Sequence, residues 1–85
     1  MRDIRFDPDG WREFVDWQST DRKIWLRIVD LLNEVTRTTF TGKGKPEALK
    51  HEYKGYCSRR ITDEHRLIYK TPDDEIIVIA CKGHY

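Results

Sequence analysis

Three short stretches of this sequence hold residue types that can move protons around a phosphate. The first, "KGKPEALKH", places Glu47, Lys50 and His51 within five residues, with Lys43 and Lys45 just before them. A carboxylate among cations is favoured in its charged form and can accept a proton, while the lysines can meet phosphate oxygens. A structural ion pair would look the same in sequence. The second stretch is "SRRITDEHR", where a strand through "SRR" sends Arg59 and Arg60 to opposite faces and Arg66 returns along the partner strand. With a turn centred on Asp63, Arg60 and Arg66 stand opposite each other with Cβ atoms roughly 5 Å apart. An anion between them would relieve the repulsion of like charges. Two solvated arginines are the alternative, and a turn centred one half-step later shifts the pairing. The third stretch is the terminal His84-Tyr85, which follows the apolar run "EIIVIAC". Histidine gives or takes a proton near neutrality and tyrosine offers a ring on which a base can stack, although chain ends also fray.

A carboxylate, an imidazole and guanidinium groups are the parts needed to cleave RNA through its own 2′-hydroxyl. One group removes the 2′ proton, another protonates the departing 5′ oxygen, and cations stabilise the charge building on phosphorus. This chemistry requires neither a metal nor a cofactor. Cys57 and Cys81 stand outside any C-x-x-C spacing and read as buried free thiols. A metal site assembled from His51, His65, His84 and the cysteines would lack any recognised ligand spacing.

The elements that must position these residues follow from hydrophobic periodicity. Residues 2–6 read as a short strand, after which "DPDG" breaks the chain. Trp11, Phe14, Val15 and Trp17 then fall on one helical face. Ser19 or Thr20 can cap a second helix, in which Ile24, Trp25, Ile28, Val29, Leu32 and Val35 recur at spacings of three and four. From "TTFTGKGKPEALKH" periodicity vanishes, and the reading is a basic loop with one helical turn at Pro46–Lys50. "YCSRRI" and "HRLIYK" form a hairpin, and "IIVIACK" reads as a strand buried on both faces. The order β-α-α-β-β-β predicts an α+β fold. Two N-terminal helices cover one face of a twisted, mainly antiparallel sheet of about four strands, and the other face is left free for polar side chains.

Composition bounds the rest. With 85 residues the chain is one domain, 1–85, since a chain this small buries only roughly 60–70% of its unfolded surface. Aromatic residues at 12% supply enough bulk for a core despite 36% charged residues, which argues against disorder. Net charge is only +1, but residues 41–70 carry 8 Lys/Arg against 4 Asp/Glu, which suggests a local anion site. The charged start "MRDIRFDPDGW" is unlike a secretory signal, and no stretch approaches the roughly 20 apolar residues of a membrane span, so the expected location is cytoplasmic.

"RTTFTGKGKPEALKH", "G-x-x-SRRITDEHRLIY" and the terminal "HY", with "DWQSTDRK" in the helical region, resemble the YoeB-type (Txe) toxins of the RelE superfamily. The resemblance spans essentially the whole chain. It implies the toxin of a type II toxin–antitoxin system: a metal-independent endoribonuclease that cuts mRNA in the ribosomal A site and inhibits translation. The partners it implies are a cognate YefM/Axe-type antitoxin, the ribosome with its 16S rRNA, mRNA and a second copy in a homodimer. By this resemblance Glu47 is the general base, Arg66 the phosphate and transition-state stabiliser, and His84 the general acid. Lys50, Arg60 and Tyr85 fall on positions implicated in substrate contact or catalysis, His51 matches a nearby one, and Lys43 and Lys45 are further candidate phosphate contacts. Cys57 departs from an aromatic expected there, and Gly83 departs just before the terminal pair and could loosen it. A non-catalytic RNA- or ribosome-binding module is the alternative, but it would not need Glu47 among its phosphate contacts. The gyrase-directed branch of the superfamily would not predict the Glu-Arg-His-Tyr set.

Overall fold

The computed structural model describes residues 2–38, 41–50 and 53–83. His51, His84 and Tyr85 therefore lie outside the described residues. In chain order the elements are β1 (Asp3–Phe6), α1 (Pro8–Thr20), α2 (Arg22–Arg37), β2 (Glu47–Ala48), β3 (Cys57–Arg60), β4 (Arg66–Lys70) and β5 (Glu75–Ala80). The strands form one sheet in the order β1-β5-β4-β3-β2, parallel between β1 and β5 and antiparallel elsewhere. Flanked on both edges, β5 buries Ile76, Ile77 and Val78, as expected of a continuous apolar run.

The α+β class and the helix pair agree with the reading from sequence, while several details differ. The sheet has five strands, because Glu47 and Ala48 are extended and pair with Ser58 and Cys57 where a helical turn was expected. The free edge of β3 supplies ladder partners to this backbone, and two residues are too few to show a period in sequence. Helix α1 begins inside "DPDG", with Pro8 in its first turn, where a fixed φ and a missing N–H cost little. Ser19 and Thr20 do not cap α2, because their hydroxyls donate back to the Asp16 carbonyl within α1. Asp21 is the cap, and its carboxylate accepts from the Ile24 N–H at 3.3 Å.

The core lies between the helices and one sheet face. Trp17, Ile28, Leu31 and Val35 pack against Leu67, Tyr69, Ile76 and Val78. Trp11 and Val15 stay exposed although they share a helical stripe with Phe14 and Trp17. The opposite sheet face is not purely polar as expected: Ile68 and Ile77 are buried yet fall outside the helix-side cluster.

Candidate active site on the sheet face opposite the helices

Strand pleating decides which charged residues meet. In β3 and β4, Cys57, Leu67 and Tyr69 belong to the helix-side core and Arg59 is fully buried. Alternation therefore turns Ser58, Arg60, Arg66 and Ile68 to the other face. Glu47 joins them, because it stands directly opposite Ser58 in the β2–β3 ladder. The diagonal from Glu47 to Arg60 then spans about 7–8 Å between Cα atoms, within reach of two long side chains. Arg66 is one strand further on, directly opposite Arg60. Glu47 and Arg60 are exposed and Arg66 is half-buried, so an anion can approach all three.

The pairing of Arg60 with Arg66 is the one expected for a turn centred on Asp63. Each finds acceptors in the turn. Arg60 leans toward the Asp63 carboxylate at 3.9 Å. The Arg66 guanidinium donates to the carbonyls of Thr62 at 2.6 Å, His65 at 3.1 Å and Asp63 at 3.3 Å. These bonds tie Arg66 to the hairpin turn and set its position before any ligand arrives.

The basic loop is held by a residue to which the sequence reading gave no role. Arg59 lies beneath the loop and donates from Nε to the Tyr69 hydroxyl at 3.1 Å and from Nη1 to the Lys43 carbonyl at 3.0 Å. Its Nη2 also donates to the Thr38 carbonyl. Gly44 sits against this support with φ at +83°, and a Cβ there would lie 2.8 Å from Leu31. Its carbonyl accepts from the Arg60 N–H at 2.6 Å, so the loop is fixed to β3 just before it enters β2. Lys43 is drawn to the helix side by an ion pair with Asp30 at 3.1 Å. Lys45 and Lys50 are exposed on either side of β2. The positive excess of residues 41–70 is thus only partly a surface charge, since Arg59 is internal and Lys43 is paired.

The backbone of Cys81 and Gly83 is fastened at four points. The Cys81 N–H donates to Glu13 Oε1 at 2.8 Å, and its carbonyl accepts from Trp17 Nε1 at 2.9 Å. The Gly83 N–H donates to His65 Nδ1 at 2.8 Å, and its carbonyl accepts from the Arg66 N–H at 2.8 Å. Gly83 has φ at +78°, which glycine adopts without strain. The chain therefore leaves the described structure beside Arg66. In sequence His65 enters only a metal set that lacks any recognised ligand spacing. Its place between "TDE" and Arg66 was the available signal.

Burial separates the thiols from the chemistry. Desolvation pushes the Cys81 thiol up to about 12, with the nearby Glu13 carboxylate adding to it. Cys57 is also raised by burial, against a smaller lowering by Arg59. Both are buried, free and protonated at neutral pH, which makes them inert. Burial likewise raises Tyr69, against the opposing hydrogen bond from Arg59.

Two helices against a mixed five-stranded sheet, with a carboxylate and two arginines on its far face, define a small α+β toxin-like domain of the RelE-like class. Residues 6–85 match the YoeB-like toxins of bacterial type II toxin–antitoxin systems, and the chain belongs to that family. Toxin RelK of Mycobacterium tuberculosis is 49% identical over 85 residues, covering all of both chains. Among solved structures, a YoeB/ParE toxin from Agrobacterium tumefaciens superposes with a TM-score of 0.95 at 40% identity, covering 98% of this chain and 99% of that one. YoeB of Staphylococcus aureus is solved as a heterotetrameric complex with YefM, with a TM-score of 0.90, 40% identity and coverage of 100% and 99%. It is also solved as a dimer, with a TM-score of 0.92, 40% identity and coverage of 99% and 98%. Among the described residues no helix is long and apolar enough to cross a membrane.

Proposed function

We propose that this toxin is a ribosome-dependent endoribonuclease that cuts mRNA in the A site by attack of the 2′-hydroxyl on the adjacent phosphate. The observation that carries this reading is the shared sheet face of Glu47, Arg60 and Arg66, with Gly83 tied to the backbone of Arg66. In this reading Glu47 takes the 2′ proton and Arg66, pre-set on the turn carbonyls, stabilises the charge on phosphorus. His84 then protonates the departing 5′ oxygen, and Tyr85 contacts a base. Arg60, Lys45, Lys50 and His51 meet phosphates, and the side chains supply base, acid and electrostatic stabiliser without a metal in the chemical step.

The S. aureus relative is solved in complex with YefM, and here a YefM/Axe-type antitoxin silences the toxin in the cytoplasm. It does so by laying acidic and apolar residues over this face. The toxin forms a homodimer, as does the S. aureus relative.

Mapping mRNA ends in cells expressing the protein tests the reading. The expected result is cuts in frame with translated codons, carrying 2′,3′-cyclic phosphate or 3′-phosphate ends. Products with 3′-hydroxyl and 5′-phosphate ends would defeat 2′-hydroxyl attack. Ribosome binding without cuts would leave a non-catalytic binding module.

A further inference from the structure

Two residues of the proposed site follow Gly83, so their position depends on what holds Gly83. We infer that His65 is a positioning residue, which fixes Gly83, the residue before the C-terminal dipeptide, by accepting its N–H at Nδ1. The inference rests on the ribonuclease reading above and adds to it a residue that neither acid nor base catalysis requires.

The bond is 2.8 Å long and joins residues 18 apart in sequence. A backbone amide can only donate, so Nδ1 must carry a lone pair and the ring proton sits on Nε2. Both the ring and the backbone of His65 are restrained. Trp17 meets the imidazole edge to face, with centroids 4.8 Å apart and planes at 72°. The same indole donates to the Cys81 carbonyl, so one side chain aligns His65 and the chain it must meet. The His65 N–H donates to the Thr62 hydroxyl at 3.1 Å, and its carbonyl accepts from Ile61 at 3.0 Å and Thr62 at 3.2 Å. Arg66, next in sequence, takes the carbonyl of Gly83. His65 and Arg66 thus clamp both polar groups of one glycine.

Without the His65 bond Gly83 would keep the Arg66 contact, and the chain before it only the side-chain ion pair of Lys82 with Asp16 at 3.5 Å. A glycine held at one point explores a wide range of φ and ψ. A displacement near 1 Å at a reacting group costs on the order of 10²-fold in rate. The anchor therefore governs the catalytic step more than ribosome binding, which draws on the whole basic face.

The test compares His65→Phe, which keeps an aromatic ring against Trp17 but removes the acceptor, with His65→Asn, whose Oδ1 can stand where Nδ1 stood. Single-turnover cleavage, ribosome affinity, thermal melting and amide exchange at Gly83 are measured on both. His65→Phe should lose on the order of 10–10²-fold in single-turnover rate with ribosome affinity nearly unchanged, and its Gly83 amide should lose protection. His65→Asn should recover most of the rate and the protection. In the wild-type protein, imidazole nitrogen NMR should report an unprotonated Nδ1 and a protonated Nε2. Three results would each overturn the inference: equal loss in both variants at equal melting temperature, a protected Gly83 amide in His65→Phe, or full-rate cleavage with that amide unprotected. Failure of the wild-type protein to cut ribosome-bound mRNA would instead overturn the ribonuclease reading. In that event the Gly83 exchange still decides whether His65 holds this segment.

Discussion

Arg59 and Arg60 are consecutive residues of β3, and the sheet uses them in opposite ways. Arg59 is fully buried on the helix side, where Tyr69, Thr38 and Lys43 accept its hydrogen bonds. Arg60 is exposed on the other side, and Asp63 lies 3.9 Å from it with its own side chain almost wholly in water. A buried guanidinium is costly to desolvate and has to be met by good acceptors, whereas an exposed pair of this kind contributes roughly 0–1 kcal/mol. The first arginine therefore secures a loop, and the second remains available to a ligand. In the function proposed above, stability and chemistry are carried on opposite faces of one hairpin, so substitutions can separate them.

The sharpest separation comes from Arg66→Ala. It should lower single-turnover cleavage at saturating ribosome by roughly 10²–10³-fold, as loss of a preorganised transition-state stabiliser does. Melting should change little, because the carbonyls it leaves lie in a solvent-accessible turn. Full recovery of the rate at high enzyme concentration would assign Arg66 to binding alone.

Arg59→Met should invert this pattern. It keeps an apolar stem and leaves three acceptors without their donor, at a cost of about 2–3 kcal/mol. For a domain of this size that is a fall in Tm on the order of 10–20 °C. Cleavage per folded molecule should drop less than in Arg66→Ala. A drop as large would blur the comparison and make the loop anchored by Arg59 part of the site.

The smallest expected effect probes the helix side through pH. Cys81 is raised to about 12 in the folded chain, above the ordinary thiol value of about 8.5. In that window the folded state binds the proton and the unfolded state has lost it. The contribution is therefore complete below the unfolded value and declines as pH rises toward the folded one. Between pH 9.5 and 10.5 the wild-type protein should lose about 1.4 kcal/mol more than Cys81→Ala, read from urea midpoints. Parallel pH curves for the two proteins would show that this thiol contributes nothing.

Much of this molecule was legible as pattern. The three-and-four spacing of α2 predicted the helix that buries Ile28, Leu32 and Val35, and the apolar run of β5 predicted a strand inside the sheet. The "TDE" turn centred the hairpin so that Arg60 faces Arg66, and the alternation of "SRR" sent Arg59 and Arg60 apart. These features depend on neighbours a few residues away, and local periodicity records them. What the sequence did not disclose depends on groups distant in the chain. Glu47 is in a strand because the edge of β3 was free to pair with it. Which arginine would be buried was undecided until carbonyls 16 and 21 residues away came within reach of Arg59. His65 acquired a partner only when β5 brought Gly83 back to the start of β4. A hydrogen bond between remote residues leaves no period in either one's surroundings. Such pairings were decided by tertiary structure alone, because only the folded chain brings donor and acceptor together and removes the water that would otherwise serve both.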